Sequence, residues 1–327
     1  MYGNIPLWLS IAFIAGGLAV LAWSSDRFVV GSASLARILG ISPFVIGMVI
    51  VGFGTSAPEL LVSVFSGIAG RSNLSLGNAY GSCVFNIAGI LGVAALVHPL
   101  SVKPSIVFGG VPLLTAIAVL SMFLLCDGTL SRADSFILLA AFAIVMPLYC
   151  RFDKKAETPE APDLPGETGV LKSLFWTAVG LVAMVAASHI LVWGAVDMAR
   201  AFGVDELLIG LTVVAIGTSI PELASAIAAA RRRESELVLG NIVGSNIFNT
   251  LAVVGIAGAI SPSPGFSVYV LSRDLPVLIC VTLSLAAFGF NRSDWRKNGT
   301  AGRSAGLFWL ALQILYMAVM LYQEIRR

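Results

Sequence analysis

The chain has 327 residues, of which 57% are hydrophobic and only 12% are charged, and its mean hydropathy is +0.93. Soluble domains carry about 25% charged residues, so this composition excludes an ordinary soluble protein and indicates a chain that crosses a membrane many times. The net charge of +2 gives no reason to expect a nucleic-acid partner, which would need a basic face.

The first 150 residues contain five apolar segments that are long enough to span a bilayer. Residues 1–10 lack Lys and Arg, so the first segment does not resemble a cleavable signal peptide and is expected to remain in the protein. The five predicted spans are 7–25, 43–67, 75–98, 106–126 and 133–149.

One long polar stretch, Arg151–Gly169, divides the chain. It has three prolines and mixed charges, so it cannot bury enough apolar surface to fold alone. We interpret 151–170 as a cytoplasmic linker that joins a first unit, 1–150, to a second unit, 171–327. The second unit contains five further predicted spans: 172–198, 207–230, 237–260, 268–290 and 304–323.

The basic residues predict the orientation in the membrane. If the N-terminus is outside, the loops on the cytoplasmic side and their flanks hold 14 Lys and Arg residues, against 6 on the opposite side. The positive-inside rule therefore places both termini outside a bacterial-type inner membrane or a plasma membrane.

The two units are repeats of each other at a constant offset of 163 residues. The segment GTSAPEL at 54–60 recurs as GTSIPEL at 217–223, with six of seven residues identical. The segment LGNAYGSCVFN at 76–86 recurs as LGNIVGSNIFN at 239–249, with seven of eleven identical. Because each unit has an odd number of spans, the repeats are inverted in the bilayer, as in many secondary transporters.

The repeated motif places one carboxylate in the middle of each unit. Glu59 and Glu222 occupy the same position, and a mid-membrane carboxylate costs at least about 2.5–3.5 kcal/mol, so its duplication implies a function. Pro58 and Pro221 precede them and are expected to break both helices, which would turn the carbonyl groups of the preceding turn toward a cavity.

Neutral oxygen ligands surround these carboxylates in the sequence. Ser82 and Asn86 are four residues apart and share a helix face, as do Ser245 and Asn249. Calcium prefers about 6–8 oxygen ligands of mixed type, whereas no His or Cys cluster is present for zinc or copper. The glycine pairs at 77 and 81 and at 240 and 244 have the spacing that allows close helix packing.

These two motifs resemble the alpha-repeats of the cation/calcium exchanger superfamily, especially its prokaryotic sodium/calcium exchanger branch. The motif matches cover 54–86 and 217–249. The resemblance implies an all-α polytopic membrane protein with ten transmembrane helices, arranged as two inverted five-helix repeats in the sodium/calcium exchanger fold. It also implies exchange of Na⁺ for Ca²⁺, with a third sodium making transport electrogenic, and no cofactor.

The resemblance further implies which residues bind the ions. Glu59, Glu222, Asn86 and Asn249 would form the centre of four cation sites, and six hydroxyls would complete the flanking sodium sites: Thr55, Ser56, Ser82, Thr218, Ser219 and Ser245. Cys83 departs from the pattern, because the second repeat has Asn246 there. Asparagine at 249, where potassium-dependent relatives tend to be acidic, argues against potassium coupling.

Two other functions remain open at this point. Relatives that exchange protons for calcium usually carry a different motif around the glutamate, so the match favours sodium. A calcium/proton antiporter is the alternative on the same fold. A cation channel could also use paired carboxylates. An enzyme is not expected, because His98 and His189 are the only histidines and form no catalytic motif. A monomer would suffice for transport.

Overall fold

Twelve helices follow one another in a computed structural model that describes residues 6–68, 72–153, 169–203 and 215–325. The first unit contains α1 (Leu7–Leu39), α2 (Pro43–Thr55), α3 (Ala57–Ile68), α4 (72–97), α5 (Ile106–Leu124) and α6 (Arg132–Asp153). The second contains α7 (Val170–Ala201), α8 (Ala215–Thr218), α9 (Ile220–Arg231), α10 (Ser235–Ile260), α11 (Val270–Gly289) and α12 (Arg303–Ile325).

The helices confirm the prediction of an all-α polytopic membrane protein. Within the described ranges, eight helices are long and apolar enough to cross a membrane, and α2 with α3 forms a ninth span that bends by 43°. The remaining predicted span, 207–230, lies partly outside the described residues, and α8 and α9 are its described part. Most of the predicted linker, 154–168, also lies outside them.

The first helix is longer than predicted. The first span was predicted to end at residue 25, but α1 continues to Leu39 and is capped by Gly40 with φ 61°. Asp26 accepts a hydrogen bond of 2.8 Å from Nε of Arg232. Arg37 forms an ion pair of 2.9 Å with Glu234. Because these polar side chains have partners, the helix can continue through them and beyond the apolar segment.

The motif helices break at a serine and not at the proline. Ser56 has φ −81° and ψ 7°, and Ser219 has φ −92° and ψ 11°, so both leave the helical region at the same point of the repeat. Pro58 and Pro221 are the second residues of α3 and α9, where the missing N–H is not needed by the helix. The break therefore comes two residues earlier than the sequence analysis expected.

Glycines allow α1 and α7 to pack along each other. A Cβ atom on Gly31 would lie 2.7 Å from the backbone nitrogen of Thr177, and one on Gly194 would lie 2.8 Å from the carbonyl oxygen of Ser10. Gly31 and Gly194 are equivalent in the two repeats, so the α1–α7 contact is symmetric. These two helices form a pair beside the motif helices.

Close packing also joins α2 to α10. A Cβ on Gly47 would lie 2.7 Å from the carbonyl oxygen of Leu237, and Gly240 and Gly244 face the backbone of Phe44 and Met48 at similarly short range. For the equivalent glycines at 77 and 81, no described atom lies within 4 Å of such a Cβ, and the matching partner segment, 207–211, is outside the described residues. The predicted role in helix packing is thus seen only for the second pair.

The loops of one predicted membrane face lie together at one end of the bundle. Strand β1 (Leu100–Val102) pairs antiparallel with β2 (Gly299–Ala301), two short strands that the sequence analysis did not predict. Lys103 forms an ion pair of 2.7 Å with Glu236, next to the Arg37–Glu234 pair. Burial raises the pKa of Glu234 above its ordinary value, and Arg37 opposes that shift. The loops at this end of the bundle are among those that the sequence predicts to be cytoplasmic.

Candidate cation site

The two glutamates lie at equivalent positions at the beginnings of α3 and α9. Glu59 is the third residue of α3 and Glu222 the third residue of α9, and both side chains are fully buried. The positive end of a helix dipole stabilises a nearby carboxylate, so this placement lowers the cost of burying the charge. No salt bridge between described residues involves either glutamate, so no described Lys or Arg side chain compensates a charge on them.

Serines from the opposite repeat hold the two carboxylates. Ser56 donates to Oε1 of Glu222 at 2.9 Å, and Ser219 donates to Oε1 of Glu59 at 2.8 Å. Ser219 also lies 3.3 Å from the hydroxyl of Ser82. These bonds join residues 160 and 166 positions apart in the chain, and they bring the two halves of the motif to one place.

The two central asparagines lie in widened turns of α4 and α10. Asn86 is the second residue of the π-helical segment Phe85–Leu91, and Asn249 is the second residue of Phe248–Val253. Such segments rearrange the local backbone and are frequent at functional sites. The widened turn starts at the same point of both repeats, so it is a feature of the duplicated unit.

All four of these residues carry a buried oxygen without a hydrogen-bond partner among the described residues. The atoms are Oε2 of Glu59, Oε2 of Glu222, Oδ1 of Asn86 and Oδ1 of Asn249. An unpaired buried polar atom costs about 1–3 kcal/mol, more when it is charged, and is rare in native structures. Finding one on each of the four predicted central residues indicates that these oxygens serve a ligand.

The remaining predicted residues lie around the same helix breaks. Thr55 donates to the carbonyl oxygen of Val51 at 2.9 Å and lies 3.3 Å from Oδ1 of Asn241. Ser245 lies 3.4 Å from the same oxygen and 3.3 Å from the carbonyl oxygen of Gly52. Ser82 is buried, and Thr218 is partly exposed at the end of α8. The structure thus places all ten predicted residues at the breaks or on the two helices beside them.

Two further residues contact this site. Asn241 places its Oδ1 3.3 Å from the hydroxyl of Thr55 and 3.4 Å from that of Ser245, and its amide donates to Ser225 at 3.0 Å. Asn246 accepts a hydrogen bond of 3.0 Å from the amide of Asn86. Neither was predicted as a site residue from the sequence, although both belong to the repeated motif, which was the signal that could have found them.

The donor set suits a hard cation. Among the described residues, no group of three or more His, Cys, Asp or Glu side chains could hold a metal ion. The site instead offers two carboxylates and neutral amide and hydroxyl oxygens, which is the ligand type that Ca²⁺ and Na⁺ prefer.

Comparisons with known proteins agree with this geometry. The model of the family described as sodium/calcium exchanger protein matches residues 9–149 and 172–322, one match for each predicted unit. CaxA, a candidate antiporter of Alkalimonas amylolytica, is 41% identical over 292 residues, which are 87% of this chain and 91% of CaxA. The inner membrane protein YrbG of Escherichia coli K12 is 35% identical over 95% of this chain and 97% of its own length.

A solved structure has the same fold. The sodium-calcium exchanger NCX_Mj, soaked with Na⁺ and Sr²⁺, superposes with a TM-score of 0.82 at 31% sequence identity. The match covers 96% of this chain and 99% of the NCX_Mj chain.

Proposed function

Because this chain belongs to the sodium/calcium exchanger protein family, we propose that it is a secondary antiporter that exchanges Na⁺ for Ca²⁺ by alternating access. Membership makes it a membrane transporter of the cation/calcium exchanger type and not an enzyme. The observation that carries the proposal for the site is the set of four unpaired, buried oxygens on Glu59, Glu222, Asn86 and Asn249.

Charge balance explains why the two ions would compete. Glu59 and Glu222 together carry two negative charges in a water-poor interior, where an uncompensated charge is costly. One Ca²⁺ or two Na⁺ would neutralise them. Binding of either ion set therefore excludes the other, and a protein with neither is disfavoured, which is the condition for exchange rather than leak.

Sodium would bind at the hydroxyls beside each carboxylate. Ser56 and Ser219 each use their proton to bond a glutamate, so the lone pairs of these oxygens remain available. Thr55 and Ser245 likewise donate to backbone carbonyls. A monovalent ion needs less ligand charge than Ca²⁺, so we assign the flanking positions Thr55, Ser56, Ser82, Thr218, Ser219 and Ser245 to sodium.

Alternating access would be a sliding motion of the α1–α7 pair against the motif helices. The two helices pack on each other through equivalent glycines, so they can move as a unit. Inverted repeats commonly switch access in this way, by moving one bundle around a fixed central site.

The function is tested by Ca²⁺ uptake into proteoliposomes that contain the purified protein. We expect uptake when the vesicles are loaded with Na⁺ and diluted into Na⁺-free buffer, and none when they are loaded with K⁺. Uptake that follows a pH jump and ignores Na⁺ would replace the proposal with a calcium/proton antiporter. Uptake down a Ca²⁺ gradient with neither coupling gradient would identify a channel.

The same assay examines the sodium ligands with the variant Thr55→Ala/Thr218→Ala. Removing both hydroxyls should raise the Na⁺ concentration that gives half-maximal exchange, with a smaller change in the KM for Ca²⁺, whose binding relies on the carboxylates. Thr129→Ala, in the exposed loop after α5, is the matched control and should behave as wild type. Equal shifts for both ions would contradict the assignment.

We further propose that both termini lie outside and that residues 151–170 form a cytoplasmic linker. The loops with most of the Lys and Arg residues meet at one end of the bundle, which supports a single basic face. In a variant whose four native cysteines are replaced by alanine, a cysteine introduced at 160 should react with an impermeant thiol reagent only after the cells are opened. Labelling of intact cells would show that the linker is outside and that the proposed orientation is wrong.

A further inference from the structure

The two repeats differ at one buried position beside the central asparagines. Cys83 on α4 and Asn246 on α10 are equivalent by the offset of 163, and both are buried. Asn246 donates from Nδ2 to the backbone carbonyl oxygen of Cys83 at 3.3 Å, and its Oδ1 accepts from Nδ2 of Asn86 at 3.0 Å. Position 246 therefore links the backbone of one repeat to a central residue of the site.

This chain of bonds fixes the direction in which Asn86 points. A backbone carbonyl can only accept a hydrogen bond, so Asn246 must turn its NH₂ group toward Cys83 and its oxygen toward Asn86. Asn86 must then offer its own NH₂ group to Asn246. Its Oδ1, which is the atom able to bind a cation, is left facing away from Asn246 and has no partner among the described residues.

The other repeat lacks this arrangement. The equivalent bond would join Asn249 to the side chain at position 83, where a thiol is shorter than an amide and a weak acceptor. The sulfur of Cys83 instead lies 3.8 Å from the carbonyl oxygen of Asn246 and 3.5 Å from the hydroxyl of Thr250. Both Nδ2 and Oδ1 of Asn249 lack a partner in the described part of the chain.

We propose that Asn246 is a positioning residue that holds the Asn86 carbonyl oxygen toward the bound cation, and that Cys83 leaves Asn249 to be oriented by the ion itself. This inference rests on the proposed cation site and adds a difference between its two halves. Asn86 is preorganised for binding, whereas Asn249 loses its freedom when the ion arrives, which weakens binding.

Exchanging the two residues tests the proposal by calorimetric Ca²⁺ binding to purified protein. Asn246→Cys should weaken Ca²⁺ binding by roughly tenfold, the effect of losing one such hydrogen bond. Cys83→Asn should tighten it by about threefold or more, because Asn249 gains an orienting partner. Cys83→Ala, which provides no acceptor, is the matched control and should bind Ca²⁺ as wild type does.

A double-mutant cycle separates positioning from a general structural role. If Asn246 acts through Asn86, then Asn246→Cys should have no further effect on the Kd for Ca²⁺ in an Asn86→Ala background. Independent, additive losses would overturn the proposal. If Asn246→Cys does not fold, Cys83→Asn decides the question, and a Kd equal to that of Cys83→Ala would overturn it.

Different results would refute the cation site and the positioning role of Asn246. Absence of Ca²⁺ binding by the wild type, or unchanged binding by Glu59→Gln, would refute the proposed site itself. Normal wild-type binding that depends on Glu59, together with an unchanged Kd for Asn246→Cys, would refute only the positioning role of Asn246.

Discussion

Replacing either central glutamate with glutamine is expected to abolish calcium transport. Glutamine keeps the shape of Glu59 or Glu222 and can still accept from the serine that holds it, but the charge that binds a divalent ion is gone. We expect the rate of Na⁺-driven Ca²⁺ uptake to fall by at least about a hundredfold in each single variant, because a carboxylate lost from a water-poor site is worth several kcal/mol to a divalent ion.

The folded structure should survive this change. Each carboxylate is buried with one oxygen unpaired, so neutralising it removes a cost in the absence of ions. The melting temperature of Glu59→Gln and Glu222→Gln in ion-free detergent should therefore equal or exceed that of the wild type. Asp127→Asn, in the loop after α5, is the control for transport. Near-normal flux in either glutamine variant would rule out a site built from two glutamates.

Adding one methyl group at Gly244 is expected to damage the packing of α2 against α10. A Cβ atom there would clash with the carbonyl oxygen of Met48 and lie 2.7 Å from its Cα. Because these are backbone atoms, no rotamer change relieves the clash, and the two helices must move apart. Overpacking of this kind costs about 1–3 kcal/mol, so Gly244→Ala should lower the melting temperature by several degrees.

Moving the two helices apart should also lower the transport rate, since α10 carries Ser245 and Asn249 and α2 carries Thr55. The control is Gly16→Ala on α1, an exposed helical glycine with no described atom within 4 Å of an added Cβ. Alanine is the better helix former, so this control should melt at or slightly above the wild-type temperature. A wild-type melting curve for Gly244→Ala would show that α2 and α10 are not in close contact.

The sequence alone predicted much of the fold and supplied the residues of the candidate site. The repeat has a constant offset of 163 residues, so it can be detected in the sequence without a structure. It identified Glu59 and Glu222, because a duplicated carboxylate in an apolar span has few explanations other than a function. Hydropathy likewise predicted the helical, polytopic class that the structure confirms.

Only the tertiary structure showed the features that depend on packing between distant parts of the chain: hydrogen-bond partners, the length of α1 and the direction of one amide group. Ser56 bonds the glutamate of the other repeat and not its own, because inverted repeats bring opposite helix breaks together. The full length of α1 follows from ion pairs with residues about 200 positions away, which hydropathy cannot detect. The direction of the Asn86 amide depends on Asn246 and on the backbone of Cys83. The repeat thus determined which groups the proposed site contains, and only packing between the repeats determined which atoms of those groups are left without a hydrogen-bond partner.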